Sequence, residues 1–270
     1  MKKFLAVIFA AALLVVGCSL EKVQKIGTIK YENVTEEAFT ELYKNQPQYR
    51  DEDLNCEYIF FDNMVSMTAA LQSGQIDMMS TYESVARYLV ENDPDFEYEP
   101  LSSEFVDIFC CAMREEDAAL KKEFDDAILK MTNDGTLSKL VKNYIAEVYF
   151  KEQPPIINMP EFYNDTMIKV GVTGDLPMLD YIRPDGIPAG FNTAVLAEIS
   201  RLIGKNFVLV QVDSGARAVA LASKKVDVIF WAVVPQEGGI LPQNFDTPEG
   251  VILTKSYFSD KIVHVKIEVK

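Results

Sequence analysis

The run Ala70-Leu71-Gln72-Ser73-Gly74-Gln75-Ile76-Asp77 recurs as Ala220-Leu221-Ala222-Ser223-Lys224-Lys225-Val226-Asp227, and each copy continues into an apolar segment. Each copy reads as a helix end, a polar turn and a buried strand, the repeating unit of a parallel α/β layer. Two such units predict two α/β lobes, and a cleft between lobes is a common place for a small ligand. The 270 residues suit two lobes of roughly 100–150 residues each.

Lys2 and Lys3 precede an apolar run over residues 4–16, then Gly17 and Cys18. Residues 1–17 have the pattern of a secretory signal, too short to span a membrane. Val15-Val16-Gly17-Cys18 resembles the lipobox of bacterial lipoproteins, whose cysteine is lipidated and becomes the first mature residue. The resemblance implies lipidation at Cys18, a short leader over 18–24, and a body anchored by more than one acyl chain to the extracytoplasmic face of the cell membrane. The longest later apolar run, 226–234, has the length of a buried strand and ends at Pro235.

The formal charge is −15, and without residues 1–17 it is −17, from 24 basic and 41 acidic residues. Such acidity excludes nucleic acid as a partner and any broad basic surface for anionic lipid. Beyond Cys18, only Cys56, Cys110 and Cys111 remain, an odd count at irregular spacing and no disulfide framework. Cys110 and Cys111 read as small buried hydrophobes, and a bridge from Cys56 to either stays open.

Periodicity predicts strands over 26–29, 57–61, 76–79 and 105–113, with helices over 35–42, 64–71 and 84–92. Amphipathic helices follow, one carrying Leu120, Phe124, Ile128 and Met131, the next carrying Leu137, Leu140, Tyr144 and Val148. Pro154, Pro155 and Pro160 mark residues 151–166 as a linker. A fresh unit then begins: strand 168–172, turns at 174–177 and 184–186, and a helix capped by Asn192. A strand over 207–212, a helix over 216–223 and a strand over 226–234 complete it. Near the end, Val263, Val265, Ile267 and Val269 alternate with polar residues as in a half-exposed strand.

The run Ile168-Lys169-Val170-Gly171-Val172-Thr173-Gly174-Asp175-Leu176-Pro177, with Ala189-Gly190-Phe191-Asn192, Val226-Asp227-Val228-Ile229 and Ser256-Tyr257-Phe258, resembles the first lobe of the family 3 extracellular solute-binding proteins. Ile26-Gly27-Thr28, Leu71 to Asp77 and Asn133-Asp134-Gly135-Thr136-Leu137 resemble that family's remaining parts, but in inverted order. The resemblance implies a circularly permuted type II periplasmic-binding-protein fold: α/β, two-lobed, with a hinge and an interlobe cleft. Lobe B would comprise 25–106 and 260–270, and lobe A 107–150 and 167–259, with 151–166 joining the family's usual termini. The tail strand from Ile262 would cross the hinge and dock beside the strand at Ile26.

In the family, an arginine usually holds the ligand's α-carboxylate and an aspartate its amine. Here Gly238 stands at the first position, Tyr82 beside Glu83 at the second, and the anion-cradle stretch reads Tyr31-Glu32-Asn33. These departures argue against an ordinary α-amino acid. Candidate ligand-binding residues at the cleft are Asp175, Leu176, Tyr181, Asn192, Ser214, Arg217 and Trp231 from one lobe, and Thr28, Tyr31, Asn33, Asp62, Tyr82 and Glu83 from the other. Arg217 reads equally as a bidentate carboxylate clamp or as a solvated arginine. Trp231 reads equally as an aromatic platform or as core packing.

His264, the only histidine, falls on a strand's polar face, and there is no nucleophile constellation, metal-ligand spacing or phosphate loop. The expectation is therefore a binding protein, not an enzyme, with no cofactor and no metal. It would deliver a small polar, amino-acid-like solute to the permease of an ABC importer. The alternatives are a ligand-sensing lipoprotein of the same fold that signals to a membrane partner, and a small-molecule lyase using a carboxylate pair.

Overall fold

The computed structural model describes residues 23–44, 55–101, 105–147, 154–163, 167–235, 237 and 243–268. The signal segment, Cys18 and Gly238 lie outside the described residues. The chain opens with β1 (Gln24–Ile29), α1 (Glu36–Lys44), β2 (Cys56–Phe61), α2 (Met64–Gln72) and β3 (Met78–Tyr82). Strand β1 lies between β2 and β3, parallel to both. Then come α3 (Glu83–Asn92), β4 (Phe96–Pro100), β5 (Val106–Arg114), α4 (Ala118–Asn133) and α5 (Thr136–Val141). A wider π turn, Lys142–Ala146, replaces the second half of the helix expected there.

The second unit runs β6 (Met167–Val172), β7 (Asp175–Leu176), β8 (Asp180–Ile182), β9 (Pro188–Ala189), α6 (Phe191–Ile203), β10 (Asn206–Gln211), α7 (Arg217–Ala222) and β11 (Val228–Pro235). Strand β6 lies between β10 and β11, parallel to both, as β1 lies between β2 and β3. The repeat in the sequence is thus a repeat in topology. Its aspartates make the same bonds in both copies. Asp77 donates its backbone N–H to the Lys25 carbonyl (2.8 Å) and accepts from the Lys25 N–H through Oδ2 (2.9 Å). Asp227 does the same with Lys169, at 2.8 and 3.0 Å.

Strands β12 (Val251–Leu253) and β13 (Phe258–Ile267) close the chain. All but β7, β8 and β9 join one curled ten-stranded sheet, with the order β10-β6-β11-β5-β13-β3-β1-β2, β12 on β5 and β4 on β13. Strand β13 unites its halves: Phe258–Lys261 pair antiparallel with β5, while Ile262–Val265 pair with β3 and Val263–Ile267 with β4. A lobe stands around each half-sheet. The tail strand does not dock beside β1, because the crossover through α2 places β3 against that edge of β1 and so between the two.

The α4 stripe Phe124, Ala127, Ile128 and Met131 is buried against α6 and β5, with the Phe124 ring stacked on Phe207 at 5.6 Å. A second cluster gathers Ile26, Phe39, Tyr43, Tyr58 and Phe105, with Tyr31 and Phe245 packed against it. Cys56, Cys110 and Cys111 are buried, and no disulfide joins them. Helix α6 is capped by Gly190, not Asn192: Gly190 has φ +93°, and a Cβ there would stand 2.7 Å from the Leu179 carbonyl oxygen. His264 is half-buried rather than solvent-facing, between Ser80 and Glu99 on the flanking strands, and burial pushes its pKa down to about 4.

Candidate functional site

Strands β1 and β3 end at a common cleft, because parallel strands present their C-terminal ends and following loops on one side of a sheet, and β5 begins there. From the first half-sheet the cleft receives Thr28 of β1, Lys30 and Tyr31 just after it, Ser80, Thr81 and Tyr82 of β3, and Ile262 of β13. Across from them stand Leu176 of β7, Arg217 at the start of α7, and Asp246, with Asp107 of β5 at the hinge. Phe39 and Tyr43 also line this space, which is partly open to solvent.

Direct bonds join the two sides. The Ser214 N–H and Oγ donate to the Asp62 carbonyl, at 3.1 and 2.9 Å. The Ala218 N–H donates to Glu32 Oε1 (3.1 Å), and the Met64 N–H, at the start of α2, donates to Asp175 Oδ2. Asp246 Oδ1 accepts from the backbone N–H groups of both Glu32 and Asn33, each at 2.7 Å. Gly215 meets Lys30 so closely that a Cβ would stand 2.7 Å from its Cδ. A larger residue would have to push the flexible, half-exposed Lys30 side chain aside.

The charges in the cleft are unevenly matched. Arg217 Nε donates to the Ser214 carbonyl (2.9 Å) and lies 3.6 Å from Glu32 Oε1. It also acts on Asp246, whose carboxyl burial raises while the two amides and Arg217 pull it down. Lys30 stands 3.8 Å from Asp62. Asp107 is buried, accepts from the Tyr82 hydroxyl at 3.1 Å, and has no lysine or arginine within ion-pair distance among the described residues. Burial first, then the Asp260 charge, push its pKa up to about 7 against the Tyr82 hydrogen bond. Tyr31 and Tyr82 are held far above the ordinary phenol range, chiefly by burial and then by Asp107.

Of the residues expected from sequence, Thr28, Tyr31, Tyr82, Leu176 and Arg217 line the cleft. Asp175, Ser214, Asp62 and Asn33 stand at its margin in bonds between the two sides. Tyr181 lies on β8, opposite Asp175 in the small sheet. Asn192 is wholly buried within α6, where its Oδ1 accepts from the Tyr257 hydroxyl (3.2 Å). Glu83 opens α3 and acts on Asp260. Trp231 lies on β11. Asp107 and Asp246 are the two cleft carboxylates that sequence reasoning missed. Among the described residues, no group of three or more His, Cys, Asp or Glu could hold a metal ion.

Comparison with known structures gives likenesses at low identity. An ancestral amino acid-binding protein, AncCDT-1, described as a precursor of cyclohexadienyl dehydratase, is 10% identical over 91% of this chain and 82% of its own, with a TM-score of 0.47. The ligand-binding component of an ABC-type import system from Staphylococcus aureus, solved with zinc bound, is 13% identical over 90% of this chain and 66% of its own, with a TM-score of 0.44. A periplasmic substrate-binding protein of an ABC transporter from Coxiella burnetii is 12% identical over 89% and 84%, with a TM-score of 0.40. No curated protein matches by sequence. One family model does match: residues 168–237, from β6 through β11, carry the sequence pattern of the bacterial extracellular solute-binding proteins, family 3.

Proposed function

We propose that this protein is an extracytoplasmic solute-binding protein, anchored through a lipidated Cys18, that closes its lobes on a small polar solute and passes it to an ABC importer. The observation that carries the reading is the cleft itself. Polar and aromatic side chains from both sides converge on one cleft, and β5 and β13 link the two sides, so a solute touching both would favour the closed arrangement. The family match supports an extracytoplasmic binding role. A permuted lobe order accounts for that match falling in the second half of the chain, and for a final strand that completes the sheet begun by the first residues.

The test is a thermal-shift screen of the purified protein against amino acids, peptides, dicarboxylates and amines. A cleft binder at one hundred times its Kd adds about 2.7 kcal/mol of stability, which moves the melting temperature by several degrees. A hit that persists undiminished after Thr28 and Tyr31 are both replaced by alanine would place the binding elsewhere.

A further inference from the structure

Two neighbouring backbone N–H groups aimed at one point form an anion site. Glu32 and Asn33 make such a pair, and its occupant is part of the chain: Asp246 Oδ1 takes both N–H groups at 2.7 Å, and the Asn33 side-chain amide donates to the Asp246 carbonyl at 3.1 Å. Arg217 stands beside it, already matched by Glu32 at 3.6 Å. A solute carboxylate entering here would find its donors taken and two carboxylates in its way. The other cation lining the cleft, Lys30, faces Asp62.

The opposite holds at the hinge. Asp107 and Asp260 stand directly opposite each other on β5 and β13, a like-charge pairing that destabilises a sheet unless a cation answers it. Asp260 is bound by the N–H and Oγ of Ser84, at 3.2 and 2.5 Å. Among the described residues, the Asp107 carboxylate takes a side-chain hydrogen bond only from the neutral Tyr82 phenol, and it opens on the cleft, with Tyr31, Phe39, Tyr43 and Tyr82 around the same space. Aromatic rings beside a buried carboxylate favour an ammonium group by cation–π attraction and by direct charge.

We propose that the cleft selects solutes that carry a protonated amine and lack a carboxylate, Asp107 receiving the amine and Asp246 acting as a tethered occupant of the anion site. This rests on the solute-binding reading above and adds the substrate class. Specificity comes from both parts, an attractive group for the amine and a built-in competitor against the acid.

Matched pairs that differ by one carboxylate test it: tyramine with tyrosine, cadaverine with lysine and agmatine with arginine, titrated calorimetrically into the full-length protein. At least one amine is expected to bind ten-fold or more tightly than its amino acid. Asp107→Asn should lose that binding at least ten-fold, and Asp246→Ala, which removes the accepting oxygen, should narrow the gap within the pair by freeing the two N–H groups. Amino acids that bind as tightly as their amines in every pair overturn the inference, even if either variant fails to fold. Binding only of sugars or dicarboxylates sinks the inference and leaves the solute-binding reading standing. If no compound of any class binds, both fall together.

Discussion

Arg114 shows how one side chain can tie distant segments together. At the end of β5, Nη1 donates to the carbonyls of Leu221 and Val226 at 2.9 and 2.8 Å, while Nη2 reaches Asp227 at 3.3 Å and Asp117 at 2.7 Å. The guanidinium therefore satisfies the turn of the second repeat from a strand more than a hundred residues earlier. Arg114→Met keeps much of the stem's volume but leaves two buried carbonyls and two carboxylates without their donor. A loss of about 2–4 kcal/mol is expected, toward the lower end because both carboxylates keep some contact with water. Urea denaturation should show a lower midpoint at unchanged slope, and a loss under about 0.5 kcal/mol would assign the tie no weight. Nothing local in the sequence marks Arg114, since its partners are set by tertiary approach. Asp107 was more legible: in the alternation through β5 it shares a buried face with Phe109, Cys111 and Met113, and a charged residue on such a face signals function or a partner. Asp246 carries no such mark, because an aspartate in a turn needs no further explanation and the amides it holds lie more than two hundred residues away.

At the scale of elements, the repeated turn was readable because its code is local. The helix ends at Ser73 in one copy and Ser223 in the other, and the next residue takes the left-handed region, Gly74 at φ +72° and Lys224 at φ +60°. A non-glycine residue costs roughly 1 kcal/mol in that conformation, net of glycine's greater loss of chain entropy. No atom lies within 4 Å of a Cβ built on Gly74, so Gly74→Ala tests conformation alone and should destabilise by about 1 kcal/mol. Lys224→Gly should gain up to about 1 kcal/mol, reduced by any worth of the exposed Lys224–Glu116 pair at 2.9 Å. Chemical denaturation of both variants decides it, and shifts of the same sign would mean that the backbone is not what distinguishes the two copies. Strand β4 was not readable. Its five residues alternate Phe96 and Tyr98 with Glu97 and Glu99, and its partner β13 lies at the other end of the chain. So short a pattern gains meaning only when the distant strand arrives.

For the whole molecule, buried ionisable groups set how stability varies with pH. Burial is the leading cause that raises Asp107 to about 7, and Asp180 and Asp260 to about 6. From the unfolded carboxyl value of about 3.9 up to those values, the folded chain holds protons that the unfolded chain has released. Stability must therefore fall as pH rises through this window, and the contribution is spent above about pH 7. His264 works the other way: with a folded pKa of about 4 it refuses a proton that the unfolded chain accepts, so its contribution grows from about pH 4 to its unfolded value of about 6.5. Three groups outweigh one. Exposed Glu37, Glu116 and Asp134, held below the ordinary carboxylate range, lose their contribution only on further acidification. The melting temperature should thus peak in the region of about pH 4–5 and decline toward neutrality. The net charge of −15 adds self-repulsion in the same direction, and salt separates the two causes. At ionic strength on the order of 1 M, repulsion between surface charges is screened while proton binding driven by burial persists, so the decline should shrink but remain. Asp107→Asn should remove its upper part, between about pH 6 and 7, and a melting temperature that climbs steadily from about pH 5 to 8 would contradict the burial of these three carboxyls.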